Sequence, residues 1–278
     1  MTATPATRTI RRVLVALDTS PSSMAAARAA ARLASRFEAE LVGLFVEDLD
    51  LLHLTNSPMA RHVDLLTASS ETVESLDVER QLRAQAGRAR RALAQLADRS
   101  EVAWSFQVAR GNVAAEVLAA ATENDLVSLG RFGLSLRHRR RLGKIARALL
   151  AEGNRCTLLI ERMEEVRPPV VAVFDGSEAS RSALVLATEF AGPKLGAFLV
   201  LTLGENSDQL RREAAEILEE GDVTAELIDL GPALDSKVVN LVRRRRAGLV
   251  LPVGGPALGE EEIQGLLNQI DCPVLAVS

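Results

Sequence analysis

The chain has no tyrosine, one tryptophan, two cysteines and three histidines among its 278 residues. Each scarcity excludes something. Two cysteines far apart, Cys156 and Cys272, cannot build a disulfide scaffold and suit a reducing compartment. His53, His62 and His138 share no metal-ligand spacing with one another or with the cysteines, so no metal centre made of side chains alone is expected. No apolar run approaches the roughly 20 residues of a membrane helix. Met1 to Arg12 is basic but lacks the apolar stretch of a signal peptide. A formal net charge of −4 offers no global field for nucleic acid or anionic membrane, so the basic clusters are local features. Serine and aspartate are plentiful, yet none forms a nucleophile elbow, and no Ser-His-Asp or Cys-His arrangement is recognisable. These absences predict a cytoplasmic chain without dedicated catalysis and without nucleic-acid or membrane partners. What is present, 47% hydrophobic and 25% charged residues, supplies two ordinary soluble cores.

The chain reads as one unit written twice. Val13 to Leu17 is a continuous apolar run ending in Asp18; Val170 to Phe174 repeats it, ending in Asp175. Such runs suit buried parallel strands. Ser20-Pro21 predicts an N-cap followed by a proline in the first helical turn. An alanine-rich helix then runs to Ser35, and a strand over Leu41 to Val46. The second copy offers a helix to Ala191 and a strand near Phe198 to Leu203. Asp18 and Asp175 stand 157 positions apart, as do Ala34 and Ala191, whereas Gly111 and Gly231 stand 120 apart. The first copy therefore carries 37 additional residues, placed between Glu47 and about Glu79.

The later parts of each copy also match. A stripe of Leu82, Ala86, Ala89, Leu93 and Leu96 predicts a helix, followed by a strand over Val102 to Val108 and a helix over Val113 to Ala121. Their counterparts are Leu210 to Glu220, Val223 to Leu230 and Asp235 to Arg245. Each copy closes with a cysteine and an apolar strand, Cys156 to Ile160 and Cys272 to Val277. The expected domains are residues 1–162, with an insertion over about 47–79, and 168–278, joined by the charged, proline-closed linker Glu161 to Pro169. Alternating strands and helices predict an α/β fold, with parallel sheets covered by helices on both faces. Ligands of such sheets bind beyond the carboxyl ends of the strands.

One such end carries a glycine loop. Leu126 to Leu129 leads into Gly130; Gly133 and Gly143 follow; Lys144 opens an amphipathic helix. Backbone N–H groups at a helix start bind anions. The basic residues Arg131, Arg137, Arg139, Arg140, Arg141 and Lys144 are expected to point the same way. The spacing excludes a P-loop, because His138 and Ile145 stand where glycine and Ser or Thr are required, and it excludes the Gly-x-Gly dinucleotide pattern.

Gly130, two residues, Gly133, nine residues, Gly143 resembles the nucleotide loop of the universal stress protein family, and the tandem pattern extends that resemblance over nearly the whole chain. The resemblance implies two tandem five-stranded parallel-sheet domains, Rossmann-like and adenine nucleotide alpha hydrolase-like, with strand order 3-2-1-4-5, paired through the last strand as an intramolecular pseudo-dimer. It implies an ATP or other adenine-nucleotide ligand. Asp18, Thr19 and Val46 would hold the nucleoside, and Gly130, Arg131, Gly133, Gly143 and Lys144 the ribose and phosphates. The family has Ser or Thr where this chain has Lys144, a residue that serves a phosphate as a point charge. A nucleotide can bring Mg²⁺. The implied role is a stress-response sensor whose nucleotide biases its state, with an unknown protein partner and with assembly into a homodimer open.

The second copy departs from the pattern. Cys272 follows Gly254 by 18 residues, against 26 between Gly130 and Cys156, so the long loop cannot be rebuilt there and this half is expected to be altered or non-binding. Plain structural readings also stand for every candidate. Asp18 or Ser20 can cap the next helix; the glycines can serve a tight strand-to-helix turn; Arg137 to Arg141 can be a solvated loop; Arg243 to Arg246 complements a helix end. The cysteines suit packing. In the insertion, Leu49, Leu51, Leu52, Leu54, Val63, Leu65 and Leu66 predict a cover over the site or an arm packed elsewhere. The rival to a nucleotide sensor is a nucleotide-free interaction scaffold of the same fold.

Overall fold

The computed structural model describes residues 10–48, 61–63, 70–72, 75–122, 125–131, 143–152, 155–161, 169–191, 198–232, 236–245 and 247–278. The first half runs β1 (Arg12–Ala16), α1 (Pro21–Arg36), β2 (Glu40–Asp48), the short strands β3 (Arg61–Val63) and β4 (Ser70–Thr72), and α2 (Ser75–Ser100). It continues with β5 (Trp104–Gly111), α3 (Val113–Ala120), β6 (Asp125–Gly130), α4 (Lys144–Glu152) and β7 (Cys156–Ile160). The second half runs β8 (Val170–Phe174), α5 (Glu178–Ala191), β9 (Phe198–Thr202), α6 (Ser207–Glu220) and β10 (Glu226–Asp229). It closes with α7 (Ser236–Arg245), β11 (Gly248–Pro252), α8 (Glu260–Leu267) and β12 (Val274–Val277).

Ten strands form one sheet in the order β10-β9-β8-β11-β12-β7-β6-β1-β2-β5. Within each half every pairing in this sheet is parallel, and each half shows the 3-2-1-4-5 order. The halves meet through β7 and β12, which pair antiparallel with Leu158 opposite Leu275. The sequence explains both faces. Successive strand residues point to opposite sides, so Val13 and Val15 join one core with α1, α2, α5 and α6, while Leu14 joins the other with α3, α4, α7 and α8. Each core draws residues from both halves, which makes the joined sheet one hydrophobic body.

Helix α1 begins as its sequence requires. The side chain of Ser20 accepts from Ser23 N, and Pro21 occupies the first turn. Six alanines between Ala25 and Ala31 are buried, and their small side chains let the helix lie close to the sheet. At its far end Phe37 meets Phe190 of the other half edge to face, with centroids 5.8 Å apart. The Arg36 guanidinium stands 5.7 Å over the same Phe190 ring, an arrangement favoured by the ring quadrupole.

Several strand boundaries differ from those the sequence suggests. Val102 N still closes the end of α2 on Ala97 O, so β5 starts only where Trp104 pairs with Leu41. Val223 N likewise bonds Leu218 O, and β10 begins at Glu226. Strand β2 runs on to Asp48, paired with Gly111. Of the insertion, the antiparallel pair β3–β4 is described; the apolar side chains expected to act as a cover or arm lie outside the described residues. The two cysteines are buried thiols, not joined in a disulfide.

Candidate functional site

The parallel register lines up the candidate residues. β1 and β2 pair with Arg12 opposite Glu40, and β1 and β6 pair with Arg12 opposite Asp125. Carried to the carboxyl ends, these offsets put Asp18 level with Val46 on one side and with the Gly130-Arg131 step on the other. The sheet thus brings Asp18, Val46 and Gly130 to one strand-end crevice, where open α/β sheets place ligands. Val46 is half-buried and packs, like Ala16 and Ala109, against the second core.

Asp18 stands at a strained turn. Its Oδ1 accepts from Ser20 N at 2.9 Å, while Ser20 Oγ accepts from Ser23 N at 3.1 Å. The capping role therefore falls to Ser20, and Asp18 braces the turn with one oxygen. Its Oδ2 takes no hydrogen bond from the described residues. Thr19 has φ +63°, a left-handed conformation that is costly for a β-branched residue.

Gly130 has a local reason to be glycine. A Cβ there would stand 2.9 Å from the Ser22 carbonyl carbon and from its Oγ, so α1 packs where a side chain would go. That contact by itself is enough to account for the residue type. Gly143 donates its N–H to Arg131 O at 3.2 Å and accepts from Arg147 N. It thereby joins the strand end to the first turn of α4, where Lys144 is exposed. Gly133 and the run from Arg137 to Arg141 lie outside the described residues.

Arg131 does not point to the crevice. It is 1% exposed, and its guanidinium donates to Leu267 O and Ile270 O of the second half, with Glu161 at 3.8 Å. Burial pulls the guanidinium below its usual pKa, opposed by Cys272, Glu161 and Asp271. The expectation that its charge joins the other basic residues is corrected by these contacts: the end of α8 exposes carbonyls that require a donor, and Arg131 is that donor. No sequence pattern distinguishes a buried capping arginine from a phosphate-binding one. The partner carbonyls lie more than a hundred positions away.

The second half places Asp175 as the first places Asp18, but closes it. Oδ1 accepts from Ser177 N at 3.0 Å and from Ser177 Oγ; Oδ2 accepts from Ala257 N at 3.4 Å. A Cβ on Gly255 would stand 2.3 Å from that Oδ2, so the turn after β11 lies directly on the carboxylate. Beside it is a cleft of about 300 Å³ at the ends of β8 and β9, lined by Asp175, Gly204, Asn206 and Gln209 and crossed by an Arg181–Glu213 ion pair. No motif in the sequence marks this cleft, because apart from Asp175 its walls come from residues without a pattern.

At the opposite, amino-terminal ends of the strands, Arg12 pairs with the buried Asp125. Burial opposes the charge on Asp125, but hydrogen bonds from Arg12 and Thr122 outweigh it and hold the carboxyl below its usual pKa. Among the described residues no group of three or more His, Cys, Asp or Glu side chains could hold a metal ion. None of the described helices is long and apolar enough to cross a membrane.

Known proteins share this architecture. A universal stress protein from Archaeoglobus fulgidus superposes with a TM-score of 0.68 at 14% identity, covering 98% of each chain. A putative universal stress protein from Pseudomonas aeruginosa gives 0.57 at 16% identity, over 98% of this chain and 94% of the other. A functionally unknown protein from the same species gives 0.58 at 15% identity with the same coverage. At such identities these likenesses speak for the fold. A comparison with curated proteins finds no match. The family model for the universal stress protein family matches residues 9–160, more than half of the chain and the whole of the half that carries Asp18 and the glycine loop. On that match, and on the 3-2-1-4-5 sheet that surrounds it, the chain belongs to the universal stress protein family.

Proposed function

We propose that the first half binds an adenine nucleotide, ATP or a relative of it, and that the protein acts as a stress-response sensor with no catalytic chemistry of its own. The observation that carries this reading is the contrast between two matching aspartates. Asp18 keeps one carboxylate oxygen unengaged among the described residues, at the level of Val46 and Gly130. Asp175 has both oxygens occupied, Oδ1 by Ser177 of its own loop and Oδ2 by Ala257 of the turn after β11. A free carboxylate at a strand end accepts hydroxyl donors such as those of a ribose. The first turn of α4 and Lys144 supply N–H groups and a cation for phosphates, and Mg²⁺ would arrive with the nucleotide. The bound nucleotide changes the protein's state only through differential affinity for two conformations. Partner proteins and self-association would read that state.

The buried Arg131 favours a second reading, a nucleotide-free scaffold, because the arginine of the loop is committed to the interior and Lys144 then carries the phosphate charge among the described residues. One experiment separates the two. The chain has one Trp and no Tyr, so an adenine chromophore that co-purifies stands out in its absorbance. Gentle purification, denaturation and chromatography of what is released should recover a near-stoichiometric adenine nucleotide, and Lys144→Ala should weaken its binding. A clean protein that also ignores added ATP, ADP and AMP would establish the scaffold instead.

A further inference from the structure

We propose that Arg131 is a positioning residue that couples the two halves: it clasps the neck of the glycine loop and caps the C-terminal turn of α8, so that order on either side depends on the other. The backbone of Arg131 closes the neck. Its N–H donates to Ile160 O at 2.7 Å, and its carbonyl accepts from Gly143 N at 3.2 Å. The chain thus leaves Arg131 and returns to it before entering α4. The side chain reaches the other way. It donates to Leu267 O and Ile270 O, where α8 has ended and its last carbonyls have no helical partner. A cation there also complements the helix dipole. Glu161, next to Ile160 at the end of β7, completes the set at 3.8 Å. With the residue 1% exposed, water cannot replace these partners. Displacing the guanidinium would leave buried carbonyls unsatisfied, and displacing the backbone would open the neck.

Among the described residues the clasp has no counterpart in the second half. The sheet register makes Val253 the counterpart of Arg131, and Val253 N donates to Val277 O at 2.7 Å just as Arg131 N donates to Ile160 O. A valine cannot reach across. Beside Val253 the molecule has a cleft of about 260 Å³, lined by Arg147, Leu150 and Ala151 of α4 with Leu258 and Ile263. The bond between loop and helix is therefore not a general feature of joining two such halves. It belongs to the half with the longer segment after β6, and it links the neck residues Arg131 and Gly143 to the end of α8.

Hydrogen exchange on the full chain tests this. In the ligand-free protein, Arg131→Met should speed exchange about tenfold or more both at Gly143–Leu150 and at Leu267–Cys272, leaving α1 unchanged. Arg131→Lys keeps the charge but not the fork, and should fall between the two. If Arg131→Met does not fold, the lysine variant alone must show both segments loosening together. Acceleration of one segment without the other, or of neither, overturns the coupling. The ligand arm rests on the nucleotide reading. With wild type saturated in ATP, the Leu267–Cys272 segment should gain protection several-fold, and in Arg131→Met it should not, even where ATP still protects Gly143–Leu150. ATP that binds and protects Gly143–Leu150 in wild type without touching Leu267–Cys272 refutes the coupling and leaves the nucleotide reading intact. No ATP binding refutes the nucleotide reading, and the ligand-free comparison then decides the clasp.

Discussion

Replacing Asp125 by asparagine tests how the crevice is held from beneath. Arg12 and Asp125 face each other across β1 and β6, the two strands whose far ends carry Asp18 and Gly130. Asp125 accepts from Arg12 Nε at 2.9 Å, from Arg12 Nη2 and from Thr122 N at 2.8 Å. The Asp125 side chain is 1% exposed and that of Arg12 30%. Removing one partner of a fully buried pair costs about 3–5 kcal/mol. Arg12 can turn partly to water and keeps Ala120 O as an acceptor at 3.1 Å, and asparagine retains an oxygen for Thr122. We therefore expect Asp125→Asn to lose about 2–3 kcal/mol at neutral pH, read from urea unfolding. The sign of the pH dependence follows from the lowered pKa. Asp125 contributes its full stability above its ordinary value of 3.8 and loses it as pH falls through the lower folded value. The gap between wild type and variant should thus be constant from neutral pH down to about 3.8 and narrow between there and the lower folded value. A gap under about 0.5 kcal/mol at neutral pH, or one that persists undiminished in acid, would show that the pair does not secure these strands.

Three further substitutions probe other joints. Thr19→Gly relieves a non-glycine residue at φ +63°, where the second half already has Gly176 at φ +79°; net of the entropy glycine adds to the unfolded chain, it should stabilise by about 0.5–1 kcal/mol in thermal unfolding. Phe190→Ala removes a ring that is 2% exposed and that holds Phe37 and Arg36 of the other half. A loss of about 3–5 kcal/mol is expected, and a loss below about 1 would mean that the halves do not lean on this contact. Gly130→Ala drives a Cβ into the Ser22 backbone and should cost about 1–3 kcal/mol, with faster hydrogen exchange in the first turn of α1. An unchanged first turn would remove the packing explanation for this glycine.

What could be read from the sequence was whatever lies in local periodicity and in the repeat. The apolar runs of β1 and β8, the Ser20-Pro21 start of α1 and the Leu82 to Leu93 stripe of α2 all recur in the structure, since each depends on neighbours a few residues away. The doubled text implied two matching sheets, and family resemblance supplied their order. Boundaries set by pairing with a distant strand were less legible. β5 begins where β2 offers partners, not where Val102 makes the sequence look extended. Charged residues were the hardest. Arg131 beside two glycines reads as a ligand contact, and its acceptors, the carbonyls of Leu267 and Ile270, carry no side-chain signature at all. Asp175 repeats Asp18 faithfully, and only the turn at Gly255 and Ala257 shows that its carboxylate is already engaged.

The asymmetry between the halves follows from one length difference. In the register of the sheet Gly130 stands opposite Ile160, 30 positions on, whereas its counterpart Pro252 stands opposite Val277, 25 positions on; with five residues fewer, the chain after β11 turns back at once, and Gly255 and Ala257 settle on Asp175. That closure brings α8 and its last carbonyls up to the seam between β7 and β12, where Leu267 O and Ile270 O need donors and β7 leaves Glu161 nearby. The shortened segment thus does two things together: it engages the Asp175 carboxylate of its own half and offers acceptors to Arg131 of the other. Lengthening it toward the first-half spacing would be expected to release Asp175 and to cost Arg131 its acceptors in the same step. On this reasoning an opened second crevice and an Arg131 bound to Leu267 O and Ile270 O exclude each other.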